Sequence, residues 1–397
     1  MAQVSYRAEL IPASPIRKLV PFAEQAKKKG RKVYHLNIGQ PDIPTPNLML
    51  VAVQDYKGPV LEYSHSCGNE SYRKKLAAYY TERNMPLTHE DIVITTGGSE
   101  AILFSFIIGL NAGDEIIAFE PFYPNYTSFA IMSGVKICAV ETKIEQGFAL
   151  PPIEELEQKI NSNTKAIIIC NPNNPTGYAY TTAELESLKH LVLKYNLFLF
   201  SDEAYRDFSY NGKLKSCLEI SGIEEHVVVM DTISKRYSAC GARVGAIISR
   251  NKKFIASVTK CAQARLSPPG LGQIIGEAAL DLPADFFDQP RQEYQKRRDV
   301  LVRKLQAIPN TFCTSPAGAF YVMVKLPIDD GDKFCQWMLE EFSYQNSTVM
   351  MAPASGFYAT KGLGKNEVRI AYVLNCQELE AAIDCLEQGL KAYPGRV

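Results

Sequence analysis

Between about residue 90 and residue 250, short apolar runs alternate with longer stretches whose apolar positions recur every three or four residues. The runs are DIVITT, EIIAFE, VKICAVE, KAIIIC, LFLFSDE, HVVVMDT and VGAIIS, each the length of a strand. Between them, stretches such as SEAILFSFIIGL and TAELESLKHLVLKYN carry the period of a helix. Strands alternating with helices predict an α/β fold with a mostly parallel sheet covered on both faces.

Beyond residue 250 the pattern changes. ADFFDQPRQEYQKRRDVLVRKLQAI, residues 284–308, predicts one long charged amphipathic helix, with Pro290 near its start or at a kink. GAFYVMVKL and EVRIAYVL predict strands, and CQELEAAIDCLEQGLKAY a closing helix. The first forty or so residues are too few to fold alone. The expected organisation is a large α/β domain over residues 45–285 and a smaller α+β domain formed by both termini, residues 1–44 and 286–397.

Composition narrows the function classes. The chain has 397 residues, 46% hydrophobic and 22% charged, as in ordinary globular proteins. Its 43 basic residues balance 43 acidic ones, so no excess charge recommends nucleic acid or an anionic membrane as partner. The longest apolar stretch, AILFSFIIGL, is half the length of a membrane span and predicts a buried helix. The ten cysteines are scattered without a CxxC pair, and the five histidines show neither HxxxH nor HExxH spacing. A metal site is therefore not expected, and reduced thiols in a cytoplasmic protein are. The N-terminus has no apolar core of a secretory signal, in keeping with that location.

In parallel α/β sheets ligands bind beyond the carboxyl ends of the strands, so the residues there carry the chemistry. TTGGSEA places Gly97, Gly98 and Ser99 at a helix start, either an anion cradle or a plain tight turn. EPFYPNY adds Tyr123, a core aromatic or a face for a ring. NPNNPTG, residues 171–177, demands a rigid loop, in which Asn174 either offers its amide to a ligand or makes an Asx turn. SDEAY runs an apolar strand into Asp202, a carboxylate awaiting a cation or a helix N-cap, with Tyr205 three residues on. DTISKRYSACGARVG supplies the amine of Lys235 and the guanidinium of Arg243. An anion cradle, an aromatic face, an amide, a buried carboxylate, a lysine and an arginine on one rim suit a planar phosphorylated heteroaromatic aldehyde that condenses with lysine. That description fits pyridoxal 5'-phosphate (PLP).

With these motifs in place, the sequence resembles the class I/II PLP-dependent aminotransferases of fold type I, the group that includes aspartate and aromatic amino-acid aminotransferases. The resemblance runs from LNIGQPD at residue 36 to EVRIAYVL at 367, with NPNNPTG, SDEAY and SKRYSACGARVG in the family's order and spacing. It implies that Lys235 holds the cofactor as a Schiff base and then serves as the base at the substrate Cα. By the same resemblance Asp202 pairs with the pyridine nitrogen, Asn174 and Tyr205 bond its phenolic oxygen, and Tyr123 stacks on the ring. Gly98, Ser99, Thr232, Ser234 and Arg243 would hold the phosphate, joined by Tyr63 from the neighbouring subunit of a homodimer. Arg369 would clamp the substrate α-carboxylate and Gly39 would contact substrate through its backbone.

The expected activity is exchange of an amino group between an L-amino acid and a 2-oxo acid. A PLP-dependent C–S lyase on the same scaffold shares nearly all of these residues. A ligand-sensing domain of a transcription regulator fits less well, because Lys235 and Arg369 are both present and no DNA-binding segment precedes the domain. Substrate identity stays open between aspartate, aromatic and broad specificity. Some bacterial aspartate aminotransferases recognise the second carboxylate with a threonine and a lysine, where this sequence has Ile16 and Ser99. Arg265, in ARLSPPG, is a candidate replacement cation, within the site or across a dimer.

Overall fold

The computed structural model describes residues 2–397. Its strands are β1 (Lys32–His35), β2 (Ile92–Thr95), β3 (Glu115–Glu120), β4 (Lys136–Glu141), β5 (Thr164–Cys170) and β6 (Phe198–Asp202), followed by β7 (Val227–Thr232), β8 (Gly245–Ile248), β9 (Tyr321–Lys325), β10 (Ser347–Met350), β11 (Ala352–Pro353) and β12 (Glu367–Ala371). All seven apolar runs between residues 90 and 250 are strands of one sheet, in the order β2-β8-β7-β6-β5-β3-β4. Only β8 runs against its neighbours.

The uniform apolarity of these runs follows from burial on both sides. Successive residues of a strand point to opposite faces. In β5, Ile167 and Ile169 enter one core with Leu185, Leu188 and Leu191 of the helix Thr182–Tyr195, while Ala166 and Ile168 enter another with Phe106 of the helix Gly97–Gly109. Local chemistry sets the helix ends as well. Thr181 and Glu184 cap each other's backbone at the start of Thr182–Tyr195, and Asn196 ends it in the left-handed conformation at φ 52°. The AILFSFIIGL stretch is the body of the Gly97–Gly109 helix, and no described helix is long and apolar enough to cross a membrane.

The long charged helix forms over Asp288–Gln306 with Pro290 in its first turn, where a missing N–H breaks no helical bond. β9, β11 and β12 make an antiparallel sheet, and β1 pairs in parallel with β10, Tyr34 opposite Val349. The chain's N-terminal segment is thus stitched to its C-terminal third. Leu19, Tyr34 and Leu36 share a core with Leu301, Phe334, Val349 and Leu386.

Candidate active site

β2, β3, β5, β6 and β7 run in one direction, so their carboxyl ends share an edge. Antiparallel β8 brings its amino end there, with Arg243 just ahead of it. Around a cavity of about 580 Å³ these ends assemble Gly98, Ser99, Tyr123, Asn174, Asp202, Tyr205, Thr232, Ser234, Lys235 and Arg243, joined by Gly39 and Arg369 from the N- and C-terminal segments.

Asp202 closes β6 and is only 7% exposed. Its Oδ2 accepts the Tyr126 hydroxyl at 2.8 Å and its Oδ1 the Ala204 N–H at 3.2 Å. A turn follows it, so it is no helix N-cap. Burial pushes its carboxyl up to about 6, against the lowering effect of the Tyr126 and Ala204 bonds. A carboxylate held this way calls for a cationic partner.

Lys235 follows β7 in the single turn Ile233–Arg236, which Thr232 opens by accepting the Ser234 N–H. Its Nζ donates to the Gly39 carbonyl at 2.8 Å and lies 3.8 Å from the Cys240 Sγ. Burial pulls the ammonium below its ordinary value, and the charges of Arg369 and Arg243 add to that; Cys240 opposes it. Only glycine fits at position 39, because a Cβ there would lie 1.8 Å from the Tyr321 hydroxyl. Below the turn, buried Asp231 pairs with Arg236 and accepts Tyr80 at 2.7 Å and the Thr232 N–H at 2.7 Å. The lysine therefore stands on a fixed polar base.

At the other end, Gly97, Gly98 and Ser99 open a thirteen-residue helix. Gly97 has φ +76°, and a Cβ on it would meet the Arg243 guanidinium at 2.5 Å. Arg243 donates to the carbonyls of Cys240 and Thr96 at 3.1 and 3.3 Å, and the Thr232 and Ser234 hydroxyls lie 2.8 Å apart beside this corner. Helix N–H groups, hydroxyls and a guanidinium give this corner the donors and positive charge that an anion can take. Tyr123 turns its ring edge-on to Tyr126, centroids 5.6 Å apart.

The NPNNPTG loop divides its asparagines. Asn173 turns its side chain onto the loop's own backbone, accepting the Thr176 N–H at 3.1 Å, and Asn174 points its Oδ1 at Arg369, accepting from Nη1 at 2.8 Å. Arg369, on β12 and 1% exposed, gives its other amino group to the Asn37 carbonyl and lies between the rings of Tyr321 and Phe357, 4.4 and 4.9 Å from their centroids. Among the described residues its Nε has no partner and it forms no salt bridge. The Tyr205 hydroxyl shares a 2.8 Å hydrogen bond with that of Tyr321.

Two residues stand outside this cavity. Tyr63 is 80% exposed on the surface. Arg265 is already partnered, with Nη1 2.5 Å from the Glu100 carboxylate and Nη2 donating to the Ser66 carbonyl at 3.0 Å. The replacement cation expected of it is not available within this chain, because Glu100 neutralises it.

The family described as aminotransferase class I and II matches residues 31–386. This chain belongs to that family. It is 31% identical to an aspartate aminotransferase of Thermotoga maritima over 98% of this chain and all of the relative. That enzyme's crystal structure superposes with a TM-score of 0.90, covering 98% of this chain and all of the other. An alanine aminotransferase from Pyrococcus furiosus superposes with the same score at 30% identity and the same coverage. The protein is thus a PLP-dependent aminotransferase of the α/β class, acting on an amino acid and a 2-oxo acid. The cavity fits that cofactor: a buried carboxylate without a cation, a lysine of lowered basicity and an anion corner are what PLP requires.

Sequence reasoning missed Tyr126, Tyr321, Asn37 and the Asp231–Arg236 pair. Tyr126 lies three residues after Tyr123 and Asn37 within LNIGQPD, but neither carries a local mark of its partner. Asp231 did leave a signal, as a carboxylate inside the apolar run VVVMDT.

Proposed function

We propose that the residues around this cavity divide the labour of transamination as follows. PLP, when bound, supplies an electron sink for the carbanion left when the substrate Cα loses its proton. Lys235 holds the cofactor and, freed by substrate, takes that proton on Nζ; burial lowers the basicity of its amine and so favours the uncharged form that can act as a base. Asp202 keeps the proton on the pyridine nitrogen, and Tyr126 keeps Asp202 ionised. The Asn174 amide and the Tyr205 hydroxyl serve the phenolic oxygen, and Tyr123 lies against the ring. Gly98, Ser99, Thr232, Ser234 and Arg243 hold the phosphate. Arg369 takes the substrate α-carboxylate, and Gly39 meets substrate through its backbone. The observation that carries this reading is the convergence of Lys235, Asp202 and Arg369 on one cavity.

Residues 45–285 then form the cofactor domain and residues 1–44 and 286–397 the small domain, with Arg369 drawing the two together over substrate. The working unit is a homodimer in the cytoplasm. Exposed Val60, Leu61 and Tyr63 give a surface for a second copy, from which Tyr63 reaches the neighbour's phosphate, and ten unpaired cysteines suit a reducing compartment.

The test is a panel of L-amino acids with 2-oxoglutarate. Matched production of glutamate and the donor's 2-oxo acid supports the reading, whereas pyruvate and ammonia released without an acceptor would show a lyase. Lys235→Ala should lose the visible absorbance of the lysine-bound cofactor and nearly all turnover; full activity would overturn the assignment.

A further inference from the structure

The chain holds ten cysteines, and the transamination set out above uses none of them. Cys240, half-buried, is the one that lines the cavity. It lies five residues after Lys235, and Ser238 between them takes the left-handed conformation at φ 51°, which turns the chain back on itself. The short turn Cys240–Ala242 follows and leads into Arg243. This fold-back sets the Cys240 Sγ 3.8 Å from the Lys235 Nζ. The thiol donates its hydrogen bond to the Ser234 carbonyl at 3.1 Å, which leaves the sulfur lone pairs to face the amine. No other lysine bonds a cysteine among the described residues.

Two nucleophiles in contact do not bond until one is oxidised, and here sulfur is the oxidisable one. When a hydroperoxide enters the cavity, the Cys240 sulfur attacks its terminal oxygen. The O–O bond breaks, the sulfur becomes a sulfenic acid, and water or an alcohol leaves with the thiol proton. The Lys235 nitrogen then attacks that sulfur with its lone pair. The S–O bond breaks, and hydroxide leaves as water with a proton from the nitrogen. Thiol and amine have each lost a hydrogen, the peroxide has been reduced, and an S–N bond joins the two side chains. The second step needs an uncharged amine, and burial of Lys235 favours that form. A thiol reductant reverses it. One thiolate displaces the amine from sulfur, and a second restores Cys240 as the reductant leaves as a disulfide.

We propose that Cys240 is a redox modification site, which a hydroperoxide links to Lys235 so that the amine is withdrawn from catalysis until a thiol reductant frees it. The timing of the link rests on the transaminase reading above. Lys235 is occupied in the resting holoenzyme and free while an amino donor holds its place. The link therefore forms when amino donor outruns acceptor.

The test exposes the holoenzyme and the variants Cys240→Ser and Cys240→Ala to hydrogen peroxide, with and without an L-amino acid donor. Activity is followed relative to each protein's own untreated rate, and peptide mass mapping reads the chemistry directly. The expected product is a Lys235–Cys240 crosslink about 2 Da lighter than the reduced pair, which dithiothreitol reverses together with the activity. The wild type should lose activity roughly tenfold faster with the donor present than without it, and both variants should keep to the slower rate. Variants inactivated as fast as the wild type overturn the proposal, as do equal wild-type rates with and without donor. So does a wild type that carries only oxygen adducts of about 16 or 32 Da on Cys240, or a disulfide to another cysteine. If the untreated wild type transaminates no donor at all, the transaminase reading fails instead. Mapping of the peroxide-treated cofactor-free protein, in which Lys235 is free, then decides the crosslink by its presence or absence.

Discussion

Asp202 should make the cofactor-free enzyme less stable at neutral pH than it would be with a neutral residue in its place. Burial raises its carboxyl from an ordinary 3.8 to about 6 in the folded protein. A raised acid contributes stability below its unfolded pKa and loses it as pH climbs through its folded one. Between these two values the unfolded chain gives up its proton first, so unfolding becomes easier. A difference of about two units at about 1.4 kcal/mol each is a penalty of about 3 kcal/mol once pH exceeds both. Asp202→Asn keeps the shape and removes the charge. The cofactor-free variant should therefore exceed the wild type in unfolding free energy by about 1.5 kcal/mol at pH 5 and by about 3 kcal/mol at pH 8, as the wild type alone pays to ionise. Denaturant unfolding of both proteins at several pH values reads this difference, and every other group cancels between them. Adding PLP should then stabilise the wild type more than the variant, because only the wild type gains a charge-assisted bond to the pyridine nitrogen. A gap independent of pH, or an Asn variant less stable at pH 8, would refute the argument that Asp202 is held strained for a cationic partner.

Two further expectations concern the anion corner and its surroundings. Gly97→Ala must place a Cβ 2.5 Å from Arg243 in a left-handed conformation, so PLP affinity by absorbance titration should fall by about tenfold or more; unchanged affinity would remove Gly97 from the phosphate site. Arg265→Met strands the Glu100 carboxylate and should cost about 3 kcal/mol in denaturant unfolding, whereas the double variant with Glu100→Met should recover most of it. A double variant no better than the single would mean that the pair is not what position 265 contributes.

Much of this protein can be read along the chain because its information there is local. The apolar runs had to be strands buried on both faces, since a half-wet strand would alternate, and β5 shows why: its odd and even residues feed different cores. Lys235, Asp202 and Asn174 were legible because each interrupts a strand end or turn with chemistry that a solvated connection does not need. The alternatives open for single residues were closed by neighbours remote in sequence. Asn174 makes no Asx turn, because Asn173 is the one that bonds the loop backbone, while Arg369 occupies Asn174 from 195 positions away.

The sequence by itself determined the layered fold, the rim on which the chemistry sits and the kind of cofactor that rim accepts. These rest on strand periodicity, turn composition and residue type, all of which act over a few neighbours. Only the tertiary structure decided which charges are matched. It assigned Tyr126 to Asp202, Asn37 to Arg369 and Glu100 to Arg265. Whether a charge is free or neutralised depends on what lies within a few ångströms through space, and a chain folded through a parallel sheet brings those partners from opposite ends of the sequence.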